Sequence, residues 1–284
     1  MILFFLLTAL TSTHLYAGYG DTFDVDPTRS YRTITSDHFR VTYAEELEPA
    51  AQRAAFLFER AHTLLSPVLK WEPNRRTSVL LLLNTDSGNG LTSPIQRIGI
   101  ILYLTAPDAQ FSTAYYDDWL WTVIVHEYAH FLNMDNTQEA WKLVRLLTGD
   151  SITPNSLLPP WMLEGLAVEM ETFYTRAGRG RSTYYKMIVR AGFEEEKLDS
   201  DDWITLDRVA GNYPWYPSGE SPYIFGYFLT HALLEQNGAG PELLGTLSET
   251  SAARVPYLIN GNLENIAGKT WYQVWHAWVE KAQI

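Results

Sequence analysis

The chain of 284 residues contains no cysteine, so neither disulfides nor a lipid-modified cysteine can hold or tether it, and stability must come from a buried core and any bound metal. It is poor in base: 21 Lys and Arg face 33 Asp and Glu, a net charge of −12. No basic cluster exceeds two or three residues, and this acidic balance excludes nucleic acid as a partner. Long hydrophobic runs are missing too. Ile2 to Leu10 is the longest strongly apolar stretch, well short of the roughly 20 residues a spanning helix needs. It has the length of a secretion signal, and Leu15-Tyr16-Ala17 before Gly18 offers a cleavage point. The expectation is a signal peptide over residues 1–17 and an exported chain, periplasmic or secreted, over 18–284, with no transmembrane segment in its mature part. Repeats and low-complexity tracts are absent.

What is present is led by His126-Glu127-Tyr128-Ala129-His130. On an α-helix, residues four apart share a face, so the two imidazoles can converge on one metal ion. The segment from Trp119 to Met134 carries no Pro or Gly and is apolar on nearly every side, with Asp117-Asp118 before it as an N-cap. Such a helix must be buried, where two histidines and a glutamate are costly unless something satisfies them: a metal and its water would, as would ordinary hydrogen bonds of core or cap residues. Zinc brings the pKa of a ligated water to roughly 7, and Glu127 beside it can take the proton as that water attacks a carbonyl. A zinc ion in a catalytic site keeps three protein ligands, so a third donor is required. Glu164, in the helix opened by Pro159-Pro160 and 34 residues beyond His130, is our choice, with Gly165 and Ala167 small enough for close helix approach. Glu171 shares its face and can orient a ligand histidine, and Asp135 is either a similar outer carboxylate or the end of the zinc helix.

These residues resemble the gluzincin clan of metallopeptidases, in which this motif is completed by a glutamate from a later helix. The closer resemblance is to bacterial peptidase-MA-like proteins often joined to a β-propeller. Thr35-Ser36-Asp37-His38-Phe39-Arg40-Val41-Thr42-Tyr43 is similar to their first strand, Asp86-Ser87-Gly88-Asn89-Gly90 to their strand-end loop, and Gly178-Arg179-Gly180-Arg181-Ser182 and the stretch from Tyr216 to Phe228 to their later pattern. The resemblance implies one zinc per chain on His126, His130 and Glu164, Glu127 as general base, and a peptide or protein substrate, with no propeller expected after Trp278. An envelope protein partner is also admitted. It further implies an edge strand that pairs with extended substrate, a position that falls to Gly99, Ile100 and Ile101 in this chain. A downstream Tyr or His stabilises the oxyanion in the clan: Tyr223 ranks first, ahead of Tyr227 and His231. Arg181, with Arg179 in the same glycine-bearing loop, is the candidate for a substrate carboxylate, against helix capping or a solvated loop as the other readings.

Periodicity predicts a strand over 31–43, a helix over 45–68, strands at 78–83 and 99–104 separated by a loop over 84–97, and an almost wholly helical remainder. The fold class is therefore α+β: a small N-terminal α/β lobe with a mixed sheet over 18–116, and a helical lobe over 117–284. The resemblance adds a thermolysin-like arrangement with the zinc helix between the lobes. An exported zinc metallopeptidase is the leading function, against a non-catalytic zinc-stabilised binding or assembly module of the same fold. Hydrolysis of a non-peptide amide would keep every assignment.

Overall fold

A computed structural model describes residues 25–83, 85, 88–95, 99–105, 107, 118–195, 198, 205–209 and 217–282. Residues 1–17, expected as a signal peptide, and Asp86, Ser87, Asp117 and Tyr216 fall outside them. The chain divides into two units, residues 1–30 and 31–284. In the first, Asp26 closes a turn by accepting from the Thr28 amide at 2.9 Å.

The second unit is α+β. Strands β1 (Tyr31–Thr35), β2 (Phe39–Ala44), β3 (Thr77–Leu82), β4 (Asn89–Ser93) and β5 (Gly99–Tyr103) form one mixed sheet in the order β1-β2-β3-β5-β4. β2, β3 and β5 run parallel in its centre, and β1 and β4 are antiparallel at its edges. The stretch expected as one strand over 31–43 is two, broken at 36–38 where the Ser36 amide bonds back to the Phe39 carbonyl. The stretch expected as a loop over 84–97 contains β4. Asn89-Gly90-Leu91-Thr92-Ser93 has one large apolar residue, Leu91, and that is 41 % exposed, so no alternation marks it as a strand. Because β4 covers β5, Gly99, Ile100 and Ile101 do not form the edge. β5 is hydrogen-bonded on both sides with Ile100 and Ile101 buried, and it cannot take a substrate strand.

The helices are α1 (Glu48–Leu69), α2 (Trp119–Asp135), α3 (Ala140–Thr148), α4 (Pro160–Tyr174), α5 (Thr183–Glu194), α6 (Leu206–Val209), α7 (Ser221–Asn237), α8 (Glu242–Ser251), α9 (Ile259–Ala267) and α10 (Trp271–Ala282). No helix among the described residues is long and apolar enough to cross a membrane. Asp118 caps α2 as its sequence suggests, accepting from the Trp121 amide at 3.2 Å. From Ile124 to Asp135 every residue of α2 is buried, between α1, β4 and α4. Tyr128 anchors it to the sheet: its ring meets Phe39 at 5.1 Å, and its hydroxyl lies 2.7 Å from His62 Nδ1 of α1.

Helices α4 and α7 cross with their backbones in contact. A Cβ on Gly165 would stand 2.4 Å from the Gly226 carbonyl oxygen, and one on Gly226 would stand 2.3 Å from that of Trp161. Only glycine at both positions permits this crossing, and it sets the height of Glu164 next door. Gly226→Ala should therefore cost about 1–3 kcal/mol through overpacking, read by urea denaturation; an unchanged midpoint would show that the helices do not meet here.

Candidate metal centre

α2 brings His126 and His130 to one face, and α4 brings Glu164 opposite them. His130 Nε2 lies 3.0 Å from His126 Nε2 and 3.1 Å from Glu164 Oε2, and His126 Nε2 lies 3.3 Å from the same oxygen. Three donors each about 2.05 Å from a tetrahedral zinc would stand about 3.3 Å apart. The donor set fits zinc in chemistry and in spacing. Both imidazoles are buried, while the Glu164 side chain is 20 % exposed and opens the site to solvent.

Glu171, two turns after Glu164, reaches His126 from behind, with Oε2 3.0 Å from Nδ1. That bond fixes the ring and leaves Nε2 facing the cluster. Glu171 is itself held by Arg179: the Arg179 amide donates to Oε1 at 2.7 Å, Nε to Oε1 at 3.0 Å and Nη2 to Oε2 at 2.9 Å. Arg179 Nη2 also stands within hydrogen-bond distance of His126 Nδ1, at 2.8 Å, so the guanidinium and the Glu171 carboxylate both face that nitrogen. Burial and then Arg179 pull the His126 pKa down, but hydrogen bonds to Glu164 and Glu171 prevail and raise it to about 9. Burial raises Glu171, yet Arg179 and His126 hold it at about 2. Glu164 is likewise held well below the usual carboxylate range against its burial, by the two histidines. His130 Nδ1 is buried and without a hydrogen-bond partner.

Glu127 follows His126 on α2, buried under β4. Thr92 Oγ1 stands 2.7 Å from its Oε2 and 3.1 Å from its main-chain oxygen. Gly90, two residues earlier on the same strand, lies so near that a Cβ there would be 2.4 Å from Glu127 Oε1. Tyr223 comes from the first turn of α7. Its ring is 6.2 Å from His126 at 20° and lies under the Arg179 guanidinium at 4.8 Å. The Glu164 charge, and then burial, push the Tyr223 pKa well above the usual phenol value, so it remains a donor at any physiological pH.

Other candidates lie elsewhere. Asp135 is not an outer partner of the histidines: its two oxygens take Trp71 Nε1 at 2.8 Å and Arg145 Nη2 at 2.6 Å, fastening the end of α2 to α1 and α3. Arg181 caps α4, donating to the carbonyls of Thr172 and Ala177, so its guanidinium is turned to the backbone and not to a substrate carboxylate. Tyr227 packs on Gly180 and stacks on His231 at 5.3 Å, and His231 bonds Glu169 at 3.1 Å, a group separate from the cluster. Sequence reading missed the partnership of Arg179 with Glu171, since a Gly-Arg-Gly-Arg loop looks solvated. It also missed Thr92, whose strand carried no signal.

No family model matches the chain, and no curated protein matches it. Among solved structures, an M1 zinc metallopeptidase from Deinococcus radiodurans is similar at a TM-score of 0.46 and 16 % identity, over 88 % of this chain and 51 % of that one. A two-domain M1 zinc metallopeptidase mutant bound to L-arginine is similar at 0.44 and 15 %. The chain spans about half the length of these structures. With similarity at that level, the reading of the site rests on its own geometry.

Below pH 9 a proton on His126 competes with the metal. The apparent zinc affinity should therefore rise with pH, by about tenfold per unit between pH 6 and 9, in chelator competition. Glu171→Gln should weaken it by about 10- to 100-fold at pH 7; equal affinities would remove Glu171 from the centre.

Proposed function

We propose that the chain is a zinc-dependent peptidase, exported to the envelope or beyond as residues 2–17 suggest. One observation carries the reading: the three donor atoms of His126, His130 and Glu164 converge at 3.0–3.3 Å, with Glu127 next to His126 on the same helix and its carboxylate against β4. Zinc held there would supply Lewis acidity, acidifying water and polarising a carbonyl.

The chain's own groups then divide the work. Glu127 accepts the proton of the attacking water and returns it to the leaving nitrogen. Tyr223, kept protonated beside Glu164, donates to the oxygen on which negative charge develops. Glu171 and Arg179 keep the His126 ring from turning. Among the described residues β4 pairs only with β5, and its other side supports backbone pairing with an extended peptide, which gives affinity with little demand on side-chain sequence.

The test is turnover of a fluorogenic peptide mixture by residues 18–284, with zinc measured on the same samples. Glu127→Ala should keep its zinc and lose at least about 100-fold in kcat. Tyr223→Phe should lose on the order of 10²- to 10³-fold with its zinc unchanged. Zinc binding with turnover indifferent to Glu127→Ala would favour the non-catalytic binding module instead.

A further inference from the structure

We propose that Thr92 is a positioning residue for Glu127, and that Gly90 makes the room in which the positioned carboxylate works. The inference rests on the peptidase reading. In a strand, residues two apart share a face, so β4 turns Gly90 and Thr92 together toward α2 while Leu91 faces out. Thr92 Oγ1, at 2.7 Å from Oε2 and 3.1 Å from the main-chain oxygen of Glu127, spans the residue from its backbone to its carboxylate. A hydroxyl donor to a carboxylate is a strong, short bond, and here it is part-buried with the Glu127 end buried. It fixes the rotamer of Glu127 and occupies one lone pair of Oε2.

The other oxygen, Oε1, is left facing the backbone of Gly90. Any side chain there would collide with Oε1, Cγ and Cδ of Glu127, at 2.4, 2.5 and 2.6 Å from the added carbon. With Oε2 engaged by Thr92, Oε1 is assigned the proton. An O–H bond of water breaks and its proton goes to Oε1 as the oxygen's electron pair forms the new bond to the carbonyl carbon. The same proton passes from Oε1 to the amide nitrogen as the C–N bond breaks. Thr92 keeps its own proton throughout. The strand proposed to hold the substrate thus also sets the base, so one element registers both reacting partners.

The experiment compares Thr92→Val, which keeps the branched shape and loses the donor, with Thr92→Ser, which restores it. Thr92→Val should lower kcat on the order of 10- to 100-fold, as a misplaced catalytic group does, with KM, zinc content and melting temperature near those of the wild type. Thr92→Ser should recover most of kcat. In a Glu127→Gln background, Thr92→Val should cost nothing further, because the two act as a unit. A wild-type kcat in Thr92→Val would overturn the proposal, as would a loss that Thr92→Ser does not repair. Should the wild type show no hydrolysis that Glu127→Gln abolishes, the peptidase reading fails separately. Crystal structures of the two Thr92 variants then decide the positioning claim: Glu127 must lose its single rotamer in Thr92→Val and keep it in Thr92→Ser.

Discussion

Everything around the site follows from placing His126, Glu127 and His130 on a helix that is buried throughout its second half. Uncompensated, each polar group there would cost several kcal/mol, and an ionised one more. Glu164 and Glu171 meet part of that demand from α4, two turns apart on one face, so a single helix supplies both a donor to the cluster and the group behind His126. These add charges of their own. The three carboxylates of Glu127, Glu164 and Glu171 would be matched by Arg179 and one divalent ion, with both imidazoles neutral. Without a metal, the carboxylates of Glu164 and Glu171 favour a proton on His126, which is the physical sense of its raised value.

Such a balance works only if the helices and the strand come close, and close approach is where glycine enters. Gly165 and Gly226 let α4 touch α7, which fixes Glu164 and brings Tyr223 over His126. Gly90 lets β4 press on Glu127. At each point a methyl group would separate elements whose spacing must hold to a fraction of an ångström. The opposite device, a long side chain that fills, is seen in Arg179, which bonds Glu171 and lies over the Tyr223 ring.

The parts legible in the sequence were those with local periodicity or fixed spacing. The four-residue step from His126 to His130, the seven-residue step from Glu164 to Glu171 and the buried character of α2 are properties of one helix at a time, and the structure keeps them. What was illegible depends on pairing between distant segments. β4 is short, polar and glycine-bearing, so it read as loop; missing it left the stretch from Gly99 to Leu104 at the sheet edge and hid Thr92. Arg179 and Arg181 stand in the same loop with the same local chemistry. One turns inward to Glu171 and the other caps α4, a choice made by where the loop meets the rest of the chain.

The second histidine group of the described residues shows why ligand type alone does not make a metal centre. His38, His62 and Glu72 also bring donors within reach of one another. Yet the two rings stack at 3.7 Å and 19°, which sends their lone pairs side by side, whereas His126 and His130 meet at 88° and point to a common spot. His38 Nδ1 is taken by Glu59 at 2.7 Å and His62 Nδ1 by Tyr128, and Glu72 Oε1 stands 3.4 Å from His62 Nε2. Burial, and then His38, depress the His62 pKa and favour the neutral ring. A neutral His62 that accepts from Tyr128 Oη and donates to Glu72 has every nitrogen satisfied without an ion. This group is thus a hydrogen-bonded buttress between α1 and α2. It holds Tyr128, and through it the segment of α2 on which Glu127 is presented to Thr92.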